Sequence, residues 1–352
     1  MSIKKLLQLL SFALILLIPT GVFASAEGEK SEDGVAERKE YIKHHLLDNH
    51  DFHIVGNISL PLPVMFWDKG AHMAMSSVFE HGEKVAEIDG NFYKIEHSKI
   101  IPTDASGKPL AMHGEHPVEV AIDYSVTKNV VVIMLVCALM FWLFRSMAKN
   151  YSQSMVPKGP AKLLEPLILF VRDEIAIPNI GEKHYNKYMG FLLSVFFFVW
   201  IVNLIGLTPL GINVTGNIAI TVALSLMTLF ITLYTSKSTY WAHIFWMPGV
   251  PVPMKIILAP IELLGVIIKP FALMIRLYAN MLAGHVVLMS IIALMYTFSS
   301  PIGSPLSFVL AFVLSILEIL VALLQAYIFT MLTALYFGAA KEEHHHDEEA
   351  HH

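Results

Sequence analysis

Glu262, Lys269, Arg276, His285 and Glu318 are ionisable side chains that survive inside the two longest apolar stretches of the chain. A Lys, Arg or Asp at the centre of a helix in lipid costs about 2.5–3.5 kcal/mol on insertion scales, so such residues persist where they face a polar cavity or a partner. Glu262, Lys269 and Arg276 recur every seven residues, which places them on one helix face. Gly265, Ala272, Ala279 and Ala283 fill the same stripe and let another helix approach closely, and Asn280 stands one turn after Arg276. Pro270 lacks an N–H and frees the carbonyl of Val266, so a bend is expected there. The last apolar stretch carries a second stripe, Ala311, Ser315, Glu318, Ala322 and Gln325, and the two stripes are expected to face each other. Arginine does not give up its proton, whereas Glu318 and His285 can exchange theirs. These residue types point to proton transfer past a fixed positive charge. An Arg276–Glu318 ion pair serving stability alone is the plainer reading, but apolar packing would serve that purpose as well.

The elements that must position these residues follow from hydropathy. The chain has 352 residues, 55% of them hydrophobic and 15% charged, with a mean hydropathy of +0.59. Soluble domains carry about 25% charged residues. Residues 1–125 hold 11 Lys/Arg and 18 Asp/Glu, residues 126–340 hold 12 and 6, and the tail from Lys341 holds 1 and 5. A long apolar, slightly basic region therefore lies between two acidic ends, which excludes a nucleic-acid-binding surface. Apolar runs at Asn129–Phe144, Tyr188–Leu207, Asn217–Tyr234, Pro248–Ser300 and Pro305–Phe337 predict an all-α polytopic membrane protein with about five crossings. The last two runs exceed the ~20 residues that a perpendicular helix needs, so they are expected to be long, tilted or bent helices forming a hairpin. Lys162–Ile175 alternates charge with Leu and Ile at helical spacing and reads as a helix along the interface or packed laterally.

The first 24 residues read as a signal peptide: Lys4 and Lys5, an apolar run from Leu6 to Ile18, then Pro19 and small-residue cleavage patterns ending at Ala24 or Ala26. Residues 25–125 read as an extracytoplasmic extension with turn signals such as Asp89-Gly90-Asn91 and a few short strands, solvated and loosely folded. His44, His45, His50 and His53 lie close together, but their spacing fits no standard metal site, and no metal or cofactor is expected. Residues 126–340 are the membrane domain, and 341–352 an acidic, His-rich tail. Arg145, Lys149, Lys158 and Lys162 follow the first crossing, so by the positive-inside rule that loop is cytoplasmic. The N-terminus is then outside the cell membrane and the C-terminus inside. Cys137, the single cysteine, reads as a small buried apolar residue.

The run Lys269-Pro-Phe-Ala-Leu-Met-Ile-Arg276-Leu-Tyr-Ala-Asn280-Met-Leu-Ala-Gly-His285 resembles the signature of subunit a of F-type ATP synthases. Gln325-Ala-Tyr-Ile-Phe-Thr-Met-Leu followed by Tyr336 resembles that family's last-helix motif, and Phe144-Arg145-Ser-Met-Ala-Lys149 and Asn203 also match. The likeness covers about residues 126–340. It implies that Arg276 is the stator arginine facing a rotor carboxylate, and that Glu262, Asn280, His285, Glu318 and Gln325 line the proton pathway, with Asn203 and Lys269 in support. Some family members carry Glu at the position of His285 and His at that of Glu318, the reverse of this chain. The partners implied are a ring of c subunits, the peripheral-stalk subunit b, the rest of the F1Fo complex and the transported proton, in a bacterial inner membrane. Nucleotide chemistry would lie elsewhere in the complex, because the chain has no Gly-x-x-x-x-Gly-Lys-Ser/Thr loop.

The main rival is a secondary ion transporter with an Arg/Glu/His relay of its own. It predicts inverted repeats and broken helices meeting at mid-membrane, and the sequence displays neither. A channel would want a selectivity-filter loop. A membrane cytochrome would want paired histidines in facing helices, yet only His285 lies deep in an apolar run.

Overall fold

The computed structural model describes residues 48–341 except 56–57, 83, 97, 114–115, 121, 154–158, 160, 209–211, 247–250 and 298–302. The expected signal peptide, His44, His45 and the tail beyond residue 341 lie outside the described residues. The chain divides into two compact units, one made of residues up to Leu135 with Val202–Val214 and Gly284–Glu318, the other of Val136–Ile201, Thr215–Ala283 and the remainder.

In the first unit the segment ahead of the membrane helices is a β module. Its strands are β1 (Asp51–Val55), β2 (Ile58–Pro61), β3 (Pro63–Trp67), β4 (Ala71–Met75), β5 (Ala86–Ile88), β6 (Asn91–Glu96), β7 (Lys99–Thr103), β8 (Met112–His113), β9 (His116–Pro117) and β10 (Ile122–Asp123), with a 3-10 turn at Ser76–Gly82. They form two three-stranded antiparallel sheets, β10-β3-β4 and β5-β6-β7, and two short ribbons, β1-β2 and β8-β9. Asp89 and Gly90, at φ 52° and 81°, make the two-residue turn between β5 and β6 that the Asp-Gly pair predicts. The expectation of a loosely folded extension is overturned. Val64, Phe66, Phe79, Ala86, Ile88, Tyr93 and Ile100 form a buried core, and the Phe66 and Tyr93 rings meet edge to face at 4.7 Å. β3 and β5 supply two of these residues each, β6 and β7 one each, and the 3-10 turn supplies Phe79, so no single run of sequence displays the core.

The module ends where the first membrane helix begins. Helix α1 (Lys128–Gln153) has its N-terminus capped from outside its own segment: the Asp48 carboxylate accepts from Thr127 Oγ1 at 2.9 Å and from the Asn129 N–H at 3.2 Å. Burial pushes the Asp48 carboxyl up, and its hydrogen bonds to Asn129 and Thr127 oppose that.

Four further apolar helices are long enough to cross a membrane: α4 (Tyr185–Gly206), α5 (Ile218–Thr235), α7 (Val252–Thr297) and α8 (Gly303–Ala339). Between α1 and α4 lie α2 (Ala161–Phe170) and α3 (Ile177–Ile180), joined by a π-helical turn at Val171–Ala176. Ala161, Leu164, Val171 and Ile175 are buried, so the stretch read as interfacial packs one face against the protein. A short helix missed by hydropathy, α6 (Ser238–Phe245), exposes Trp241 and Phe245, and the Lys255 ammonium sits 4.5 Å from the centre of the adjoining Trp246 ring. Asn217 caps α5 by accepting the Ala219 N–H. The 46-residue α7 continues unbroken through Pro260 and Pro270. Within the second unit, Lys269 of α7 meets Tyr336 of α8, and both residues line one cleft with Val266 of α7 and Ala339 of α8. Close packing has fixed Gly338, where a methyl group would collide with the Asn179 carbonyl.

Cys137 corrects its reading as buried. It is exposed on α1, whose covered side carries Val132, Val136 and Met140. In a lipid-facing helix an apolar residue needs no protein around it, so apolarity does not predict burial.

Candidate functional site

Of the expected site residues, His285, Glu318 and Asn203 lie in the first unit, and Glu262 and Lys269 form a group in the second. In the first, His285 is buried on α7 with its imidazole against the backbone of α4: a Cβ added to Gly206 would stand 3.2 Å from His285 Nε2. Glu318 of α8 lies against Gly284 of α7, where an added Cβ would be 2.6 Å from Glu318 Oε1. The other carboxyl oxygen, Oε2, is buried without a hydrogen-bond partner among the described residues and keeps capacity for one. Asn203 is buried on α4, one turn before Gly206. An imidazole and a carboxyl thus each lie against a glycine of a neighbouring helix. Gly206 was not singled out from sequence, and Gly284 entered only inside the family signature, because glycine in an apolar helix has many reasons to be there.

In the second unit, Lys269 and Glu262 are half-buried on α7. The Lys269 ammonium is 5.8 Å from the centre of the Tyr336 ring, and the Tyr336 hydroxyl reaches the Lys269 carbonyl at 3.5 Å. These two side chains line a cleft with Thr228, Thr232 and Tyr240. Burial pushes the Tyr240 phenol up, and the Glu262 carboxylate adds to that, which sets Glu262 beside the cleft. The hydroxyls come from a stripe on α5 that sequence reading passed over: Thr221, Ser225, Thr228 and Thr232 are all buried at steps of 4, 3 and 4. Each donates to a carbonyl one turn back, for instance Thr232 Oγ1 to Thr228 O at 2.7 Å. Their oxygens remain available as acceptors. The signal was legible, since hydroxyls at helical spacing in an apolar run need a reason to be there.

Arg276 differs from both sets. It is exposed on α7, as are Ala272, Ala279, Asn280 and Ala283, and forms no ion pair among the described residues. The plain ion-pair reading of Arg276 therefore finds no support. On α8, by contrast, Ala322 and Gln325 are buried. The expected face-to-face stripes are corrected accordingly: the α8 stripe turns into the protein at this level, while the Arg276 stripe of α7 turns outward. The heptad drift explains part of this, because an α-helix falls behind a seven-residue repeat by about 20° per heptad. Across the two heptads from Glu262 to Arg276, the stripe rotates from half-buried to exposed.

Comparison with known proteins gives a consistent picture. The family described as ATP synthase A chain matches residues 130–338. A second family, described as a domain of unknown function (DUF8433), matches residues 41–123, which include most of the β module. The chain is 39% identical to "ATP synthase subunit a" of Anaeromyxobacter dehalogenans (strain 2CP-C) over 62% of its own length and 58% of that protein's. It is 38% identical to the subunit of the same description from Chloroherpeton thalassium over 65% of its length and 70% of that protein's. For the Myxococcus xanthus subunit a the figures are 39%, 65% and 78%. The match to the first of these spans less than two thirds of the relative's length.

Proposed function

The chain belongs to the ATP synthase A chain family, and from that premise we propose that it is the proton-translocating stator of an Fo membrane sector, offering two offset half-channels to a rotating ring of c subunits. One observation carries the reading: a permanent cation, Arg276, exposed without a counter-ion among the described residues on a ridge of Ala272, Ala279 and Ala283. A small-residue ridge in lipid invites a close helix, and an exposed guanidinium there calls for a carboxylate on that helix.

The working cycle follows from these two sets of residues. His285 and Glu318 belong to the half-channel that delivers protons from outside, on the side where the N-terminal module lies by the positive-inside rule. A delivered proton neutralises a rotor carboxylate, and a neutral carboxyl enters lipid at far lower cost than an ionised one. After nearly a full rotation the carboxyl meets the second half-channel, to which the cleft of Lys269, Tyr336, Thr228 and Thr232 belongs, and releases its proton there. Arg276 then holds the bare carboxylate and keeps the two half-channels from short-circuiting. The membrane potential supplies about 2.3 kcal/mol per charge per 100 mV, so several protons serve each nucleotide made elsewhere in the complex. The c ring, peripheral-stalk subunit b and the remainder of F1Fo are the partners of this reading, and a bacterial inner membrane is its location.

The test is Arg276→Ala in the whole complex reconstituted into vesicles. ATP-driven proton pumping is expected to disappear, and pumping near the wild-type level would overturn the assignment. Arg276→Lys is expected to fail as well, because a desolvated ammonium can lose its proton and a guanidinium does not.

A further inference from the structure

The outer face of the β10-β3-β4 sheet is apolar and, among the described residues, uncovered. Alternation along the strands puts Val64, Phe66 and His72 inward and leaves Trp67, Met73 and Met75 exposed on the other side. The register sets Ile122 opposite Trp67 and Met65 opposite Met73. Tyr124 donates its N–H to Met65 O, which brings it to the same face, 65% exposed. Met65, Trp67, Met73, Met75, Ile122 and Tyr124 thus make one surface without an ionisable carboxylate or ammonium.

This sheet is fastened to the point where α1 starts. Only residues 124–127 separate β10 from α1, and that link is held by Val126 N–H to Pro63 O at 3.0 Å and Lys128 N–H to Asn49 O at 3.0 Å. The Asp48 carboxylate clamps the first turn as described above. Val130, Met134 and Leu135, within the first two turns of α1, are exposed and apolar, so the helix is in lipid almost from its first residue. The sheet is therefore held at the depth of the hydrocarbon boundary, and its exposed Trp and Tyr are the residues that favour that boundary.

We propose that the Met65–Trp67–Met73–Ile122–Tyr124 face of the module lies against the bilayer surface beside α1, so that the module is a lipid-docked collar on that helix. Continuity with the lipid-facing side of α1 and the absence of charge on the face favour lipid over water.

The test uses the whole complex in phosphatidylcholine/phosphatidylglycerol vesicles, with Cys137→Ser as background. Met73→Cys carries an environment-sensitive fluorophore on the proposed face, and Glu87→Cys, on an exposed position of β5, is the reference. Spin-labelled lipid with its quencher near the headgroup is expected to extinguish fluorescence at position 73 and spare position 87, with aqueous iodide doing the reverse. Trp67→Cys labelled in the same way gives a second reading, and ATP-driven pumping by each variant shows that it has folded. Equal iodide quenching at both positions would mean that the face is in water, and shielding of position 73 from both quenchers would mean that another protein covers it. Either result overturns the proposal.

Discussion

Gly206 and Gly284 decide how close α4, α7 and α8 come to the two proton-exchanging side chains of their unit. A methyl group on Gly284 would stand 2.6 Å from the Glu318 carboxyl, closer than Cβ atoms come to anything, so Gly284→Ala must displace that carboxyl or the helix bearing it. The contact is the flexible end of the Glu318 side chain, so the methyl group is accommodated at little packing cost by moving the carboxyl itself. In the reconstituted complex, Gly284→Ala is expected to cut ATP-driven pumping sharply while the subunit still assembles. Gly190→Ala, on α4 with nothing within 4 Å of the added methyl, is the control and is expected to pump normally. Should both variants pump alike, the Gly284–Glu318 contact has no bearing on transport. At this scale the sequence displayed Arg276, His285 and Glu318 because an ionisable group in an apolar run stands out on cost alone. The glycines did not stand out, since only the atom opposite a glycine shows why it must remain small.

Helix α5 and the β module are elements whose function depends on how they are stitched. The buried hydroxyls of α5 all satisfy themselves on their own helix, so replacing Thr228 and Thr232 together by Val keeps shape and helix while removing two acceptors from the cleft. If the cleft conducts protons, the double variant assembles in normal amount but pumps several-fold more slowly, as expected when buried polar groups lose partners. A normal rate would remove the cleft from the pathway. In the module, His72 of β4 joins the two sheets: Nδ1 bonds Asp89 Oδ2 at 2.7 Å and Nε2 lies 2.9 Å from Asp68 O, while the Tyr93 hydroxyl donates to Asp68 Oδ2 at 3.1 Å. The hydrogen bond to Asp89 raises the His72 imidazole above its ordinary value, against the opposing effect of burial. A raised folded-state value stabilises the protonated form, so this contribution is complete below about pH 6.5 and is lost as pH rises through the folded-state value. Amide exchange in β4–β6 is therefore expected to quicken from pH 6 to pH 8.5 beyond the intrinsic change, and Asp89→Asn should flatten that extra dependence. The Asp89-Gly90 turn was readable from sequence because its backbone demand is local. The sheet β10-β3-β4 was not, because its edge strand pairs residues more than fifty positions apart and occupies two residues.

Across the whole molecule, five helices meet the length and hydropathy of membrane spans, and their own chain covers them unevenly: 44% of the most apolar window of α4 is buried, but 17% for α7 and 11% for α8. Hydropathy located all five spans because lipid makes the same demand on each of them, ~20 apolar residues whichever neighbour they have. It could not separate surface meant for lipid from surface meant for a partner, since both are apolar. Arg276 separates them: a guanidinium exposed on α7 is costly beside lipid and reasonable beside a carboxylate. Ala279, less than a turn away and also exposed, reports which of the two neighbours is present. A thiol introduced by Ala279→Cys in a Cys137→Ser background, with a membrane-permeant maleimide as reagent, should react in the purified subunit and be protected in the assembled complex. Protection should vanish when the rotor ring is stripped away and persist when only the catalytic head is removed. Ala279 reacting equally in subunit and complex would mean that the Arg276 ridge faces lipid throughout, and the stator reading would then lose the surface it depends on.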